Sequence, residues 1–119
     1  DKFMSILNYF SKNKQINNIK QLGINEILSL TKDKNYIFID VREPDEWKEG
    51  VIPGIKKISM GNIEKHFSKL NKDENYVIVC RSGNRSGKVA EKMEMAGYKN
   101  LINFKGGMLD WYSQKLPVV

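Results

Sequence analysis

The sequence predicts a single α/β domain, a parallel sheet of about five strands with helices on both faces. Three observations carry that expectation. Apolar runs alternate with helical patterns along the whole chain. Two of the runs, Tyr36-Ile37-Phe38-Ile39 and Tyr76-Val77-Ile78-Val79, are near-continuously apolar, as expected of strands covered on both sides. The 119 residues suit one domain and show no internal repeat, low-complexity tract or linker.

Residues 1–17 read as an N-terminal extension and residues 18–119 as the domain. Phe3, Met4, Ile6, Leu7 and Phe10 form a loose helical stripe, so the extension is expected to hold a short helix packed on the domain. Asn18 to Leu22 is a short strand candidate and Asn25 to Leu30 a short helix. Tyr36 to Ile39 is a buried strand that ends in Asp40-Val41-Arg42. Pro44 suits the first turn of a short helix through Trp47. Val51 to Gly54 is a turn, Ile55 to Met60 a modest strand, and Ile63 to Leu70 a helix. Tyr76 to Val79 is the next buried strand. Arg85 to Ala96 is the strongest helix, with Val89, Met93 and Ala96 on one face and Gly97 as its stop. Asn100 to Phe104 is the last strand. A helix through Leu109 and Trp111 follows Gly106-Gly107, and Pro117 ends the core.

Net charge is +6, which raises nucleic acid as a partner. The lysines are scattered and no basic–aromatic interleaving occurs, so a solvated lysine-rich surface is the reading adopted and no nucleic-acid partner is expected. No apolar run approaches the roughly 20 residues that span a membrane. The chain begins at Asp1, which leaves an upstream signal or anchor open. Oligomeric state is not legible.

The chemistry concentrates at the one cysteine. Cys80 ends an apolar run and opens the segment Cys80-Arg81-Ser82-Gly83-Asn84-Arg85-Ser86, just before the strongest helical pattern. A lone cysteine at a strand end is more often a small buried hydrophobe than a reagent. Here a polar loop and a helix N-terminus surround it, and these lower a thiol pKa. Two of the three arginines, Arg81 and Arg85, lie in this loop; the third is Arg42. Arginine's planar fork of donors suits oxyanions and fixed loop geometry. Gly83 gives the loop access to positive φ. Ser82 or Ser86 is expected to cap loop or helix-start donors. One histidine, His66, and one cysteine do not make a zinc site, so no metal and no cofactor are expected. Trp47 and Trp111 read as packing anchors, and Gly106-Gly107 as a tight turn near the loop. A free reactive thiol fits a reducing compartment, so a cytoplasmic location is expected.

In order along the chain, Asp40-Val41-Arg42-Glu43, Trp47, Gly50-Val51-Ile52-Pro53-Gly54, Cys80 to Ser86, Gly97-Tyr98, Gly106-Gly107-Met108 and Trp111 resemble the rhodanese domain family. The resemblance runs from about residue 18 to the end of the chain. It implies a single-domain rhodanese-like fold and sulfur transfer through a cysteine persulfide, with Cys80 as nucleophile. Arg81, Ser82, Gly83, Asn84, Arg85 and Ser86 carry over as the loop that surrounds the sulfur. Asp40 and Arg42 carry over as structural support of the site. The implied donor is a small sulfur-containing anion; the acceptor is cyanide, a thiol or a protein thiol. Thiosulfate-specific two-domain members carry basic side chains where this chain has Ser82 and Glu46, so thiosulfate is not singled out. Many relatives have histidine where this chain has Val51.

Three rival readings share the fold. Phosphatases and arsenate reductases of this type hold one residue more between cysteine and arginine than the Arg81 to Asn84 stretch, and the smaller ring suits a single sulfur atom. A non-catalytic binding module usually lacks the cysteine, which is present here. A persulfide carrier is not separable from a small-molecule sulfurtransferase by sequence.

Overall fold

The computed structural model describes residues 18–119; the helix expected within residues 1–17 lies outside them. The strands are β1 (Lys20–Leu22), β2 (Tyr36–Asp40), β3 (Lys56–Lys57), β4 (Asn75–Val79) and β5 (Asn100–Phe104). They form one sheet in the order β1-β5-β4-β2-β3, and every pairing is parallel. The helices are α1 (Ile24–Leu30), α2 (Pro44–Trp47), a 3₁₀ helix (Met60–Lys69), α3 (Asn84–Met95) and α4 (Gly107–Ser113). The expected five-stranded parallel α/β architecture is therefore present.

Strand side chains alternate between faces, and the two cores follow that period. Tyr76, Ile78 and Cys80 pack with Ile63, Val89 and Met93, so α3 and the 3₁₀ helix cover one face. Val77 and Val79 pack with Ile27, Phe104, Met108 and Trp111, so α1 and α4 cover the other. Val77, Ile78 and Val79 have no exposed surface, and burying each such side chain contributes about 1.5–3 kcal/mol. That two-sided burial explains why β4 has no polar alternation.

Several boundaries differ from expectation, each for a local reason. The strand expected over residues 55–60 reduces to Lys56–Lys57. The chain keeps bonding beyond it, Ile58 N–H to the carbonyl of Asp40, the last residue of β2 (3.1 Å), and Met60 N–H to the Val41 carbonyl just past its end (2.9 Å). The helix expected over residues 63–70 is 3₁₀ and begins at Met60. Gly61, Asn62, His66 and Ser68 are weak helix formers, and only Ile63 in this segment is fully buried, so little packing enforces an α-helix. Helix α3 starts one residue earlier than expected, at Asn84, because Gly83 takes φ 92° at its N-cap. Its expected stop holds: Gly97 has φ 103°, and Tyr98 N–H bonds the Met93 carbonyl at 3.0 Å.

At the other end, Trp111 is buried and its indole N–H donates to the Pro117 carbonyl at 3.0 Å. The last residue then pairs with Val51 through two backbone bonds (3.0 and 3.1 Å).

Candidate active site

In parallel α/β sheets, ligand sites lie beyond the carboxyl ends of strands. The carboxyl ends of β2 and β4 are neighbours here: Asp40 is in register with Val79, and Val41 N–H donates to the Val79 carbonyl at 2.8 Å. Cys80 is the next residue, only 1 % exposed.

The loop after it is shaped by the first turn of α4. The Cys80 and Arg81 carbonyls accept from the N–H groups of Met108 (2.9 Å) and Leu109 (3.0 Å). Gly107 permits this approach: its φ is 59°, and a Cβ there would collide with both carbonyls. With those carbonyls turned toward α4, following N–H groups turn toward the sulfur. Gly83 N–H donates to Cys80 Sγ at 3.1 Å, and the N–H groups of Ser82 and Ser86 add to the pull on the sulfur's charge. Gly83 is required at its own turn, since a Cβ would strike the Lys105 carbonyl. The Ser86 hydroxyl lies 3.2 Å from the sulfur. This is an anion nest at the head of a helix. Burial pushes the thiol up; the Ser86 hydroxyl and the N–H groups of Ser86, Ser82 and Gly83 outweigh burial, so the thiol is more acidic than its ordinary value.

Ser86 is not the cap it was expected to be. No side chain caps α3, and Ser86 is fully buried between Cys80 and Asn103. Ser82 contributes its N–H rather than its hydroxyl.

Asp40 and Arg42 form a buried pair with no exposed side-chain surface. Arg42 Nε sits 3.1 Å from Asp40 Oδ1 and Nη2 sits 2.9 Å from Oδ2, a bidentate fork. Arg42 also donates to Tyr112 Oη (3.1 Å) and the Gly50 carbonyl (3.1 Å), and the Tyr112 hydroxyl donates to that same carbonyl at 2.6 Å. The cluster ties the end of β2 to α4 and to the turn at Gly50.

The loop arginines face carboxylates from the α2 region. Arg85 makes a second bidentate fork with Glu46 (2.7 and 2.8 Å). Arg81 lies 3.5 Å from Glu49, but both side chains are about half exposed, so that pair contributes little. Asn84 is exposed at the first position of α3. Sequence reasoning assigned the loop residues but missed Glu46 and Asn103 as partners of Arg85 and Ser86, and Tyr112 as a partner of Arg42.

Glu46 also closes a capping box with Glu43 at the start of α2. The hydrogen bond from Arg85 is the main reason its carboxyl is held at about 2, against a usual 4.5. A depressed carboxyl adds stability above the unfolded value and loses it as pH falls through the folded value. The pair's contribution is thus complete above about pH 4.5 and fades toward pH 2. Glu46→Gln is expected to cost about 1 kcal/mol at neutral pH after solvent screening. It is also expected to flatten the stability profile across that acid window, as read by urea unfolding at a series of pH values.

Among the described residues no group of three or more His, Cys, Asp or Glu is placed to hold a metal ion. Among them, too, no helix is long and apolar enough to cross a membrane. His66 bonds the Asn62 carbonyl at 3.0 Å on the 3₁₀ helix.

Comparison with known proteins agrees with this geometry. The family model described as "Rhodanese-like domain" matches residues 24–114. "Putative sulfurtransferase YtwF" of Bacillus subtilis is 41% identical over 85 residues, covering 71% of this chain and 82% of its own. A protein named "Sulfurtransferase" from Allochromatium vinosum is 33% identical over 104 residues, covering 87% of this chain and 95% of its own. The crystal structure of a rhodanese-like domain protein from Staphylococcus aureus superposes with a TM-score of 0.75 at 34% identity, covering 85% of this chain and 99% of that one. With its sheet order, its cysteine loop and these matches in agreement, the chain belongs to the rhodanese-like domain family, whose relatives here are named sulfurtransferases.

Proposed function

We propose that the protein moves a sulfane sulfur from a donor such as thiosulfate to a thiophilic acceptor, cyanide or a thiol, through a persulfide on Cys80. The observation that carries this reading is a single buried sulfur held by the Gly83 N–H and the Ser86 hydroxyl at the head of α3. The Cys80 thiolate attacks the outer sulfur of the donor. The donor's S–S bond breaks, and its electron pair leaves with sulfite when the donor is thiosulfate. The new persulfide carries its negative charge on the outer sulfur, where oriented amides stabilise it. The acceptor attacks that outer sulfur and the thiolate returns. One transfer is thereby split into two easier displacements.

In this reading Ser82, Gly83 and Ser86 hold the sulfur, while Arg81, Asn84 and Arg85 line the loop's outer side. Asp40 and Arg42 brace the end of β2 and touch no substrate. The 119 residues hold no second cysteine, so the acceptor comes from outside these residues. The working unit is the domain of residues 18–119, and the thiol's acidity suits a reducing compartment such as the cytoplasm.

Steady-state rates with donor and acceptor varied together test the cycle. Parallel double-reciprocal lines are expected, with kcat/KM for the donor rising with pH on a group titrating below the ordinary thiol value of 9.0. Intersecting lines, or a titration at or above 9.0, count against a depressed thiolate acting by double displacement.

A further inference from the structure

The polar network behind the sulfur extends past Ser86 to a residue outside the loop. Asn103, on β5, is 3 % exposed. Both hydrogens of its side-chain amide are committed: Nδ2 donates to the Gly83 carbonyl at 3.1 Å and to Gln21 Oε1 at 2.8 Å. These acceptors fix the amide's orientation, because a turned amide would set its oxygen against the Gly83 carbonyl. Oδ1 therefore faces Ser86, 2.5 Å from its hydroxyl oxygen, and can only accept.

A serine hydroxyl has one proton to donate. Asn103 Oδ1 and Cys80 Sγ compete for it. While the sulfur is a thiol, a directional chain satisfies every group: S–H donates to Ser86, and Ser86 donates to Asn103. A thiolate instead needs donors, and Ser86 becomes one only by turning its proton away from Asn103.

We propose that Asn103 is a positioning residue for the sulfur centre: it holds the Ser86 hydroxyl proton while Cys80 is protonated and yields it when the sulfur carries charge. The Ser86 O–H bond stays intact throughout. The thiol proton leaves to a solvent base, and the hydroxyl exchanges one hydrogen-bond partner for another. This rests on Cys80 being the nucleophile. Along the cycle the hydroxyl points to the sulfur in the thiolate and back to Asn103 in the persulfide, whose charge lies on the outer sulfur. Asn103 thus opposes ionisation through Ser86, while its bond to the Gly83 carbonyl holds the loop in either state.

The charged groups paired around the loop are Arg85 with Glu46, Arg81 with Glu49, and Asp40 with Arg42; Lys88, Glu91, Lys92 and Glu94 lie further along α3. Lys105 and Asp110 flank the glycine turn. All are retained in every variant below, so their influence is common to the comparison.

The test is a titration of thiolate absorbance in the wild type, Ser86→Ala, Asn103→Leu and the double variant. Asn103→Leu is expected to lower the thiol pKa and Ser86→Ala to raise it, each by about one unit, the worth of one hydrogen bond to a charged group. In the Ser86→Ala background most of the Asn103→Leu shift is expected to disappear. An equal shift in both backgrounds, or an upward one, overturns the proposal. Should Asn103→Leu fail to fold, the Asn103 side-chain carbonyl ¹³C resonance of the unsubstituted residue serves instead. It is expected to move with the sulfur's titration in the wild type and to lose most of that movement in Ser86→Ala; a flat wild-type resonance overturns the proposal. Neither readout involves a sulfur donor. Coupling without sulfur transfer sustains this inference and defeats the transfer reading, whereas transfer without coupling defeats this inference alone.

Discussion

Cys80→Ser is expected to reduce sulfur transfer to the rate seen without protein, a loss of about 10⁴-fold or more, as for removal of other covalent nucleophiles. Serine fits the same nest, but its hydroxyl does not ionise near neutral pH and no base is aimed at it. The fold should barely notice the change. Gly83 N–H, 3.1 Å from the sulfur, can donate to the new hydroxyl, and Ser86 remains a hydrogen-bond partner. Stability is expected to stay within about 1–2 kcal/mol of the wild type, read by urea unfolding. The two readouts together separate a lost nucleophile from a collapsed site. Undiminished transfer by a folded Cys80→Ser protein would move the chemistry elsewhere.

Arg42→Met is expected to do the reverse, leaving the proposed nucleophile in place and undermining the fold. It strands the Asp40 carboxylate in a fully buried position and leaves Tyr112 without its guanidinium donor. Removing one partner of a buried pair typically costs about 3–5 kcal/mol, a large part of a stability of about 5–15 kcal/mol. Asp40→Asn breaks the fork from the other side and should also destabilise. Replacing both residues by apolar ones of similar size should cost much less than the sum of the single changes, because no charge is left buried alone. Denaturant midpoints of the single and double variants test this. Single variants that cost under about 1 kcal/mol would mean the pair does not brace the site.

What the sequence made legible is what sequence neighbours determine. β2 and β4 announce themselves because both faces of each are covered, leaving an unbroken apolar run. The cysteine loop is legible because its donors are consecutive residues, so a curl around one atom follows from local geometry. Partners that arrive from far along the chain were hidden. Glu46 meets Arg85 only after α2 folds back over the loop, and Tyr112 reaches the Gly50 carbonyl across the end of the sheet. Ser86 was expected to cap because serine near a helix start usually does. Its real neighbour, Asn103, comes from β5, which lies beside β4 in the sheet. The 3₁₀ segment misled for a related reason: Met60, Ile63, Phe67 and Leu70 recur at the three- and four-residue spacing of an α-helix. Only weak intrinsic propensity, which tertiary packing can override, pointed to the tighter one.

The most direct test of the persulfide is the intact mass of the protein after exposure to thiosulfate, or to a persulfide generated by a cysteine desulfurase, with excess donor removed. The account predicts a gain of one sulfur atom that cyanide reverses and that Cys80→Ser never shows. A folded wild-type protein that gains no sulfur from either donor would contradict it.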